Sequence, residues 1–447
     1  MVVNLVVGAA VINKLIQQIV PLNKFLISTV FLFSFIGFTQ DDYTNSYKKR
    51  VLETAEIDLL FSYYNQDGQN AAVSGGEGTE ELTDATSSIV VKIPLNPNDI
   101  LTVDAGISAY SSASTSNVDP FDKNSRRASP FSASSGASQS DALVHFNPSY
   151  EHSSEDRNSV YSAQAYVSSE YDYFSIGFGG GYARLFNEKN TEVAASFQVF
   201  LDKWIPQYPV ELRDGFSDSR ITGIGTYNPA FEAFNDETRN SYALSLSFSQ
   251  ILSKRMQGSI FMDVVSQSGL LSTPHQRVYF GDSNDFFIED FQLADNVEQL
   301  PDNRLKIPIG ARLNYYLSDL IVLRSYYRYY SDDWGITAHT ASLEAPIKLS
   351  DKFTLYPNYR YYKQTAADYF YTKETAVSSQ DFYTSDYDLS AYNSHQYGMG
   401  IRYKDIFTSA KVFTFGLKTI DFRFGKYDRS DGLDSYIFSL GTTFVGD

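Results

Sequence analysis

The chain has 447 residues and a formal net charge of -17, with 34 tyrosines, 33 phenylalanines and no cysteine. Mean hydropathy is only -0.27, and no apolar run after residue 38 approaches the roughly 20 residues that a helical span needs; a polytopic helical membrane protein is excluded. The missing cysteine removes disulfides, thiol catalysis, thiolate zinc sites and a lipid-anchored N-terminal cysteine, and the acidity argues against nucleic acid as a partner.

The first element is an address. Residues 25–38 form an uncharged apolar run behind Lys24, too short for a span and typical of a secretory signal, with Gly37 and Thr39 placed for cleavage before Gln40. The signal region is therefore 1–39. Residues 1–21 either precede the true start near Leu22 or form a long leader. A periplasmic N-terminal segment, 40–50, follows.

From 51 to 447 the pattern predicts a single all-β domain. Apolar and polar residues alternate with period two in segments of roughly ten, as in Ser241-Tyr242-Ala243-Leu244-Ser245-Leu246-Ser247-Phe248-Ser249. About sixteen such strands are expected, at 51–65, 85–95, 100–111, 140–151, 159–170, 173–187, 191–204, 238–252, 256–269, 304–317, 320–332, 336–349, 353–369, 394–405, 411–426 and 434–445. After even strands come tight turns, where Leu-Ser recurs at 252, 317 and 349. After odd strands come most of the long loops: 67–84, the serine-rich 112–139, 205–237, 270–303 and 370–393.

That sorting predicts a transmembrane antiparallel up-and-down β-barrel of about 16 strands, with short periplasmic turns and long extracellular loops. A closed barrel pairs every backbone group without leaving an edge. Tyrosine, with an apolar body and a polar tip, suits the aromatic girdles of such a wall. The last strand, with aromatic and apolar residues from Tyr436 to Phe444, resembles the signal read by barrel-assembly machinery, although Val445-Gly446-Asp447 follow it.

Several runs carry a family resemblance: Lys49-Arg50-Val51-Leu52-Glu53, Phe61-Ser62-Tyr63-Tyr64-Asn65-Gln66-Asp67-Gly68, Gly78-Thr79-Glu80-Glu81-Leu82-Thr83-Asp84, Gly106-Ile107-Ser108-Ala109-Tyr110 and Glu170-Tyr171-Asp172-Tyr173-Phe174-Ser175-Ile176-Gly177. The chain resembles domain of unknown function 3570, outer-membrane barrel proteins of Bacteroidota. The resemblance implies a bacterial outer-membrane location and a barrel fold. It supplies no catalytic residue and no substrate. The partners expected are outer-membrane lipid and lipopolysaccharide, the barrel-assembly machinery that reads the last strand and, for a barrel that anchors a complex, envelope proteins.

Function must then be read from the wall. With the apolar parity facing lipid, the inward set includes the acids Glu56, Asp58, Asp104 and Asp263 and the bases Arg324, Arg328, Arg360, Arg402 and Lys404, interleaved with Tyr326, Tyr330 and Tyr362. Strand 15 changes parity near Lys418-Thr419, which predicts a bulge; beyond it Asp421 and Arg423 face inward. Acids gather on the N-terminal half of the wall and guanidinium groups on the C-terminal half. The expectation is a channel or transporter for small polar solutes with a transverse field; loop 112–139, with Arg126 and Arg127, either folds inward as a constriction or stands freely exposed. The alternative is a non-conducting barrel anchoring a cell-envelope complex.

No catalytic residue, cofactor site or metal site is expected. The five histidines fall at no ligand spacing, and no sequence-local catalytic motif appears. The acids at 282–290, 332–333 and 428–434 lack calcium-loop spacing, and the glycines at 177 and 179–181 precede more strand, so they predict a kink or bulge in the wall rather than a phosphate cradle.

Overall fold

The computed structural model describes residues 49–112, 140–229 and 231–446; the signal region, nearly all of segment 40–50 and, from residue 113 on, loop 112–139 with Arg126 and Arg127 lie outside them. The described chain closes into a barrel of sixteen antiparallel strands. They are β1 (Glu56–Asp67), β2 (Leu82–Pro94), β3 (Asp99–Ser112), β4 (Ser140–Ser153), β5 (Ser159–Ser169), β6 (Tyr173–Phe186), β7 (Thr191–Trp204) and β8 (Thr238–Ser253). The second half comprises β9 (Met256–Gly269), β10 in two pieces (Asn303–Lys306 and Ile309–Tyr316), β11 (Val322–Ser331), β12 (Thr337–Glu344, continued by Ile347–Lys348), β13 (Phe353–Gln364), β14 (Tyr392–Lys404), β15 (Phe415–Arg429) and β16 (Asp434–Gly446).

Each strand pairs with its sequence neighbours, and β16 closes on β1 with Phe61 opposite Leu440 and Tyr63 opposite Phe438. No edge is left to pair with another chain. Alternate residues stand outward as exposed apolar side chains, among them Leu59, Phe61, Phe178, Leu244, Tyr327 and Tyr397. Such a band in water would be adhesive. Against lipid it is the favoured surface.

The recurrent Leu-Ser at the turn rim has a local cause. Ser318 Oγ accepts from the Leu320 and Ile321 amides, Ser350 Oγ from those of Lys352 and Phe353, and Ser253 Oγ from that of Arg255. Each hydroxyl stands in for a backbone acceptor where the chain reverses.

Four expectations about the wall change. The first strand starts at Glu56 rather than 51, and β13 ends at Gln364, giving 365–369 to the following loop. The segment expected to open strand 15 at 411 is a separate short piece, Lys411–Val412, paired back onto β15. The glycines of β6 make no bulge, because register runs unbroken to both neighbours. They make room instead: a Cβ at Gly177 would lie 2.6 Å from the Phe200 ring, and one at Gly181 2.7 Å from Ser162 Oγ. The bulge expected on strand 15 is present, as a register shift between Leu417 and Thr419.

Most of the apolar core lies outside the wall strands. Its four clusters are built from loop residues, including Phe286, Ile288 and Leu293; Leu212, Tyr279 and Val297; Val278, Phe280 and Tyr383; and Leu271, Leu300 and Trp334. Burying each large side chain contributes about 1.5–3 kcal/mol, which offsets the entropy of ordering these long connections. Loops 205–237, 270–302 and 365–391 thus fold as one cap at the loop rim.

Candidate functional site

The first part of the site is the inner wall. Register places Glu56, Asp58, Asp104 and Asp263 on the face opposite the exposed apolar residues, and Arg324, Arg328, Arg360, Arg402 and Lys404 with Tyr326, Tyr330 and Tyr362 on the same face across the C-terminal strands. There is space inside the wall. The Arg324 side chain is 51% exposed and that of Arg402 41%, although both turn away from the outer surface.

The signs are not simply separated. Lys92 Nζ meets Asp58 at 3.3 Å, and Lys418, on the bulge, reaches Glu56 at 2.5 Å. Asp104 is held by His145 at 3.3 Å and by Asn147. Among the arginines stand two acids that alternation did not single out as their partners. Glu344 accepts from Arg324 at 2.8 Å and from Arg423 at 3.2 Å; Asp421 accepts from Arg423 at 2.9 Å and from Arg402 at 2.7 Å. The expected field between two opposed half-walls is therefore largely answered locally.

This chain of ion pairs lies toward the turn end of β11–β15, and Tyr356 supports it. The guanidinium groups of Arg402 and Arg423 sit 5.2 and 5.1 Å from its ring, a favourable placement of cation over π face. Gly400 makes the crossing possible, since a Cβ there would lie 3.0 Å from Arg423 Cγ.

Higher on the same wall the pairing changes. Arg304 joins Asp332 at 2.5 Å while packing over Trp334, and Asp332 also accepts from the Tyr330 hydroxyl and the amides of Trp334 and Ile336. One of the acidic loop pairs is thereby a structural anchor. Arg312 stacks on Phe261 and Tyr326, and Arg328 and Arg360 both act through space on Tyr362.

The second part of the site is the cap, which sequence reasoning treated as separate loops. Arg277, between β9 and β10, donates from Nε to Glu211 Oε1 at 2.7 Å and from Nη1 to the Val73 carbonyl at 3.0 Å. Glu211 lies between β7 and β8, and Val73 between β1 and β2. In a ring of sixteen strands β9 stands across from β1, so this cluster bridges the mouth. Further ties run from Asn70 Nδ2 to the Asp431 carbonyl at 2.9 Å and from Lys373 to Glu77 at 3.1 Å.

The cap also buries carboxyl groups. Glu298 accepts from the Thr273 amide at 2.7 Å and the Thr384 hydroxyl at 2.5 Å, while Thr384 Oγ1 accepts from the Asp386 amide at 3.0 Å. Burial, reinforced by the charge of Asp386, pushes the Glu298 carboxyl well above the usual range. Burial, with the charge of Asp388, raises Asp386 too. Asp295 is pushed up to about 6, mainly by burial.

The histidines are dispersed: His145 contacts Asp104, His152 contacts Asp99, and His339 and His395 meet Tyr327 and Tyr359 on the outer face. Among the described residues no group of three or more His, Asp or Glu side chains is arranged to hold a metal ion.

The family described as "Protein of unknown function (DUF3570)" matches residues 22–432. No curated protein matches the sequence. Among solved structures, a bacterial polysaccharide outer membrane secretin is 11% identical, covering 88% of this chain and 99% of its own at a TM-score of 0.44. A BenF-like porin from Pseudomonas fluorescens Pf-5 is 8% identical, covering 88% and 98% at 0.40. A mutant ferric enterobactin receptor from Pseudomonas aeruginosa is 13% identical, covering 85% of this chain and 54% of its own, also at 0.40. Likeness at this level concerns the fold.

Proposed function

The chain belongs to the DUF3570 family of proteins of unknown function, and from that premise we propose that it is an outer-membrane channel or transporter for small polar solutes. The observation that carries this reading is the accessible charge inside the wall: Arg324, Arg402 and Arg423 hold carboxylates yet keep 51%, 41% and 38% of their side chains exposed on the inner face. These three lie toward the turn end, but Arg312 and Arg360, in mid-strand on the same face, are exposed as well, and a lumen packed solid would bury those. Sixteen strands enclose more space than side chains fill, and polar groups line it at no cost to the lipid face.

In this reading the turn rim faces the periplasm and the cap faces outward, among lipopolysaccharide, after export and cleavage of the signal. Solutes cross a mouth bridged by folded loops, so passage is controlled at the cap. The test is conductance in planar bilayers with refolded, heat-modifiable protein, before and after replacing loop 270–302 by a short linker. Steps of conductance that grow on removing the loop are the expected result; silence in both forms overturns the reading.

The cap itself favours a second reading, a non-conducting barrel that anchors an envelope complex. A folded outer body with its own apolar clusters is a docking surface as well as a barrier. Stoichiometric recovery of a partner in mild detergent, together with silence in bilayers after loop removal, is what this alternative requires.

A further inference from the structure

On the inner face from β10 to β15, Arg304, Arg324, Arg402, Arg423 and Arg429 each hold a carboxylate. Arg312, Arg328 and Arg360 do not: among the described residues none of the three has an ion pair. In a chain with a net charge of -17, three unopposed guanidinium groups on one stretch of wall stand apart from the surrounding pattern.

Register brings them together. Arg312, Tyr326, Ser342 and Arg360 lie opposite one another in one row across β10–β13, and Gly310, Arg328, Thr340 and Tyr362 form the next row. Three strand spacings of about 4.8 Å separate the backbones of Arg312 and Arg360 by roughly 14 Å, with Arg328 between them in the adjoining row. Of the intervening positions, Gly310 is covered by the Phe261 ring, which a Cβ there would meet at 2.2 Å, and Thr340 is buried, so the least filled position is the half-buried Ser342, between Tyr326 and the exposed Arg360.

The guanidinium groups are also placed. Arg312 is pressed against the rings of Phe261 and Tyr326 at 5.4 and 5.6 Å, and Arg328 and Arg360 share Tyr362 as a neighbour. Arg328 Nε is buried without an acceptor, an unfavourable state for a charged donor. Arg360 remains exposed to the lumen. Planar N–H forks on two adjacent rows of one wall match oxyanions, which accept two parallel hydrogen bonds from each fork.

We propose that Arg312, Arg328 and Arg360 form an anion site in the lumen, for small solutes carrying two or more carboxylate or phosphate groups. Its place in transport rests on the channel reading; binding does not. Mutual repulsion of the three cations is relieved when such a ligand spans them, whereas a monovalent anion meets only one fork. The -17 charge of the chain opposes non-specific anion uptake, so binding at these rows is a site effect.

The test is calorimetric titration of the full folded chain in detergent with citrate, as the carboxylate probe, and with pyrophosphate, as the phosphate probe. Acetate and a neutral disaccharide serve as controls. Saturable binding of at least one multivalent probe is expected, weakened about tenfold or more in Arg328→Gln and in Arg360→Gln and less in Arg360→Lys, which keeps the charge but not the fork. Arg360 is exposed, so its variants test the site even where Arg328→Gln fails to fold. Binding of only one probe assigns the chemical source. Failure of both, or full-strength binding in Arg360→Gln, overturns the site. Reversal potentials in a salt gradient separate the two proposals: binding without any conductance leaves the site and removes the channel, and conductance without binding does the reverse.

Discussion

Arg277 and Glu211 form an ion pair with no exposure on either side chain, although they belong to loops from different hairpins. Arg277 also lies 5.2 Å from the Phe291 ring and donates to the Val73 carbonyl. Burying both charges is costly, and only their mutual contact and the extra hydrogen bonds repay it.

Removing one partner should therefore cost more than removing both. Arg277→Met leaves Glu211 charged and buried, which costs the cap about 3–5 kcal/mol; the double replacement Arg277→Met, Glu211→Leu recovers much of it. Limited proteolysis reads this directly. The single variant should be cut in 205–237 and 270–302 while the wall resists, and equal resistance of single variant and parent would contradict the assigned role.

The cap should also loosen as pH rises. Glu298, Asp386 and Asp295 all have carboxyl groups raised by burial, Asp295 to about 6. A raised carboxyl favours the folded state while protonated, so its contribution is fully present below the unfolded range near 4 and is lost as pH climbs through the raised value. Protection of the loops from protease should be greater at about pH 7 than at about pH 9, a window above the range in which His275, whose pKa burial lowers to about 4, opposes the trend. Glu298→Gln, which keeps the acceptor and removes the ionisation, should flatten the difference. A parent whose protection rises with pH would refute the sign.

How much of this was legible in the sequence follows from the range of the interactions. The wall strands were visible because one face meets lipid and the other does not, a period-two signal carried within each segment of chain. The parity change at Lys418-Thr419 was visible for the same reason. Glu344 was missed as a partner of Arg324 because β12, from Thr337 to Glu344, is built largely of small residues with weak contrast between faces. The cap was missed altogether. Its contacts join residues far apart in sequence, such as Thr384 and Glu298 or Arg277 and Val73, and no periodicity announces them. The one available signal was apolar clustering where solvated loops were expected, in Phe286-Phe287-Ile288 followed by Phe291 and Leu293.

Gly400 is a sharper probe of the inner network than any of its charges. A side chain there collides with Arg423 and also meets Tyr356 Cβ at 3.4 Å. Gly400→Leu should push Arg423 off Glu344 and destabilise the barrel by about 1–3 kcal/mol through overpacking. Because the collision is with one side chain, Arg423→Ala should cost less in the Gly400→Leu background than in the parent. A double-mutant cycle on urea unfolding in detergent measures that coupling, and strict additivity would mean that the two positions do not meet.

The bulge at Lys418 makes the last prediction, and it runs against the usual intolerance of strands to deletion. On the β16 side Leu417 faces Phe444 and Thr419 faces Thr443. Thr443 donates to Asp58 on the inner face, so Leu417 stands outward and Thr419 inward with Lys418 as the extra residue between them. Deleting Lys418 leaves Leu417 and Thr419 adjacent and still on opposite faces, as the pleat requires. Every other side chain of β15 keeps its side, whereas a deletion within an unbulged strand such as β8 moves half the strand to the wrong face. The deletion variant should therefore fold and remain heat-modifiable, losing the contact with Glu56, the bond from the Asp405 amide to the Lys418 carbonyl and the local twist that a bulge adds. Deleting Ser245 in the middle of β8 is the control and should abolish folding. Equal failure of both deletions would show that the bulge is required for closure and is not an independent feature of one strand.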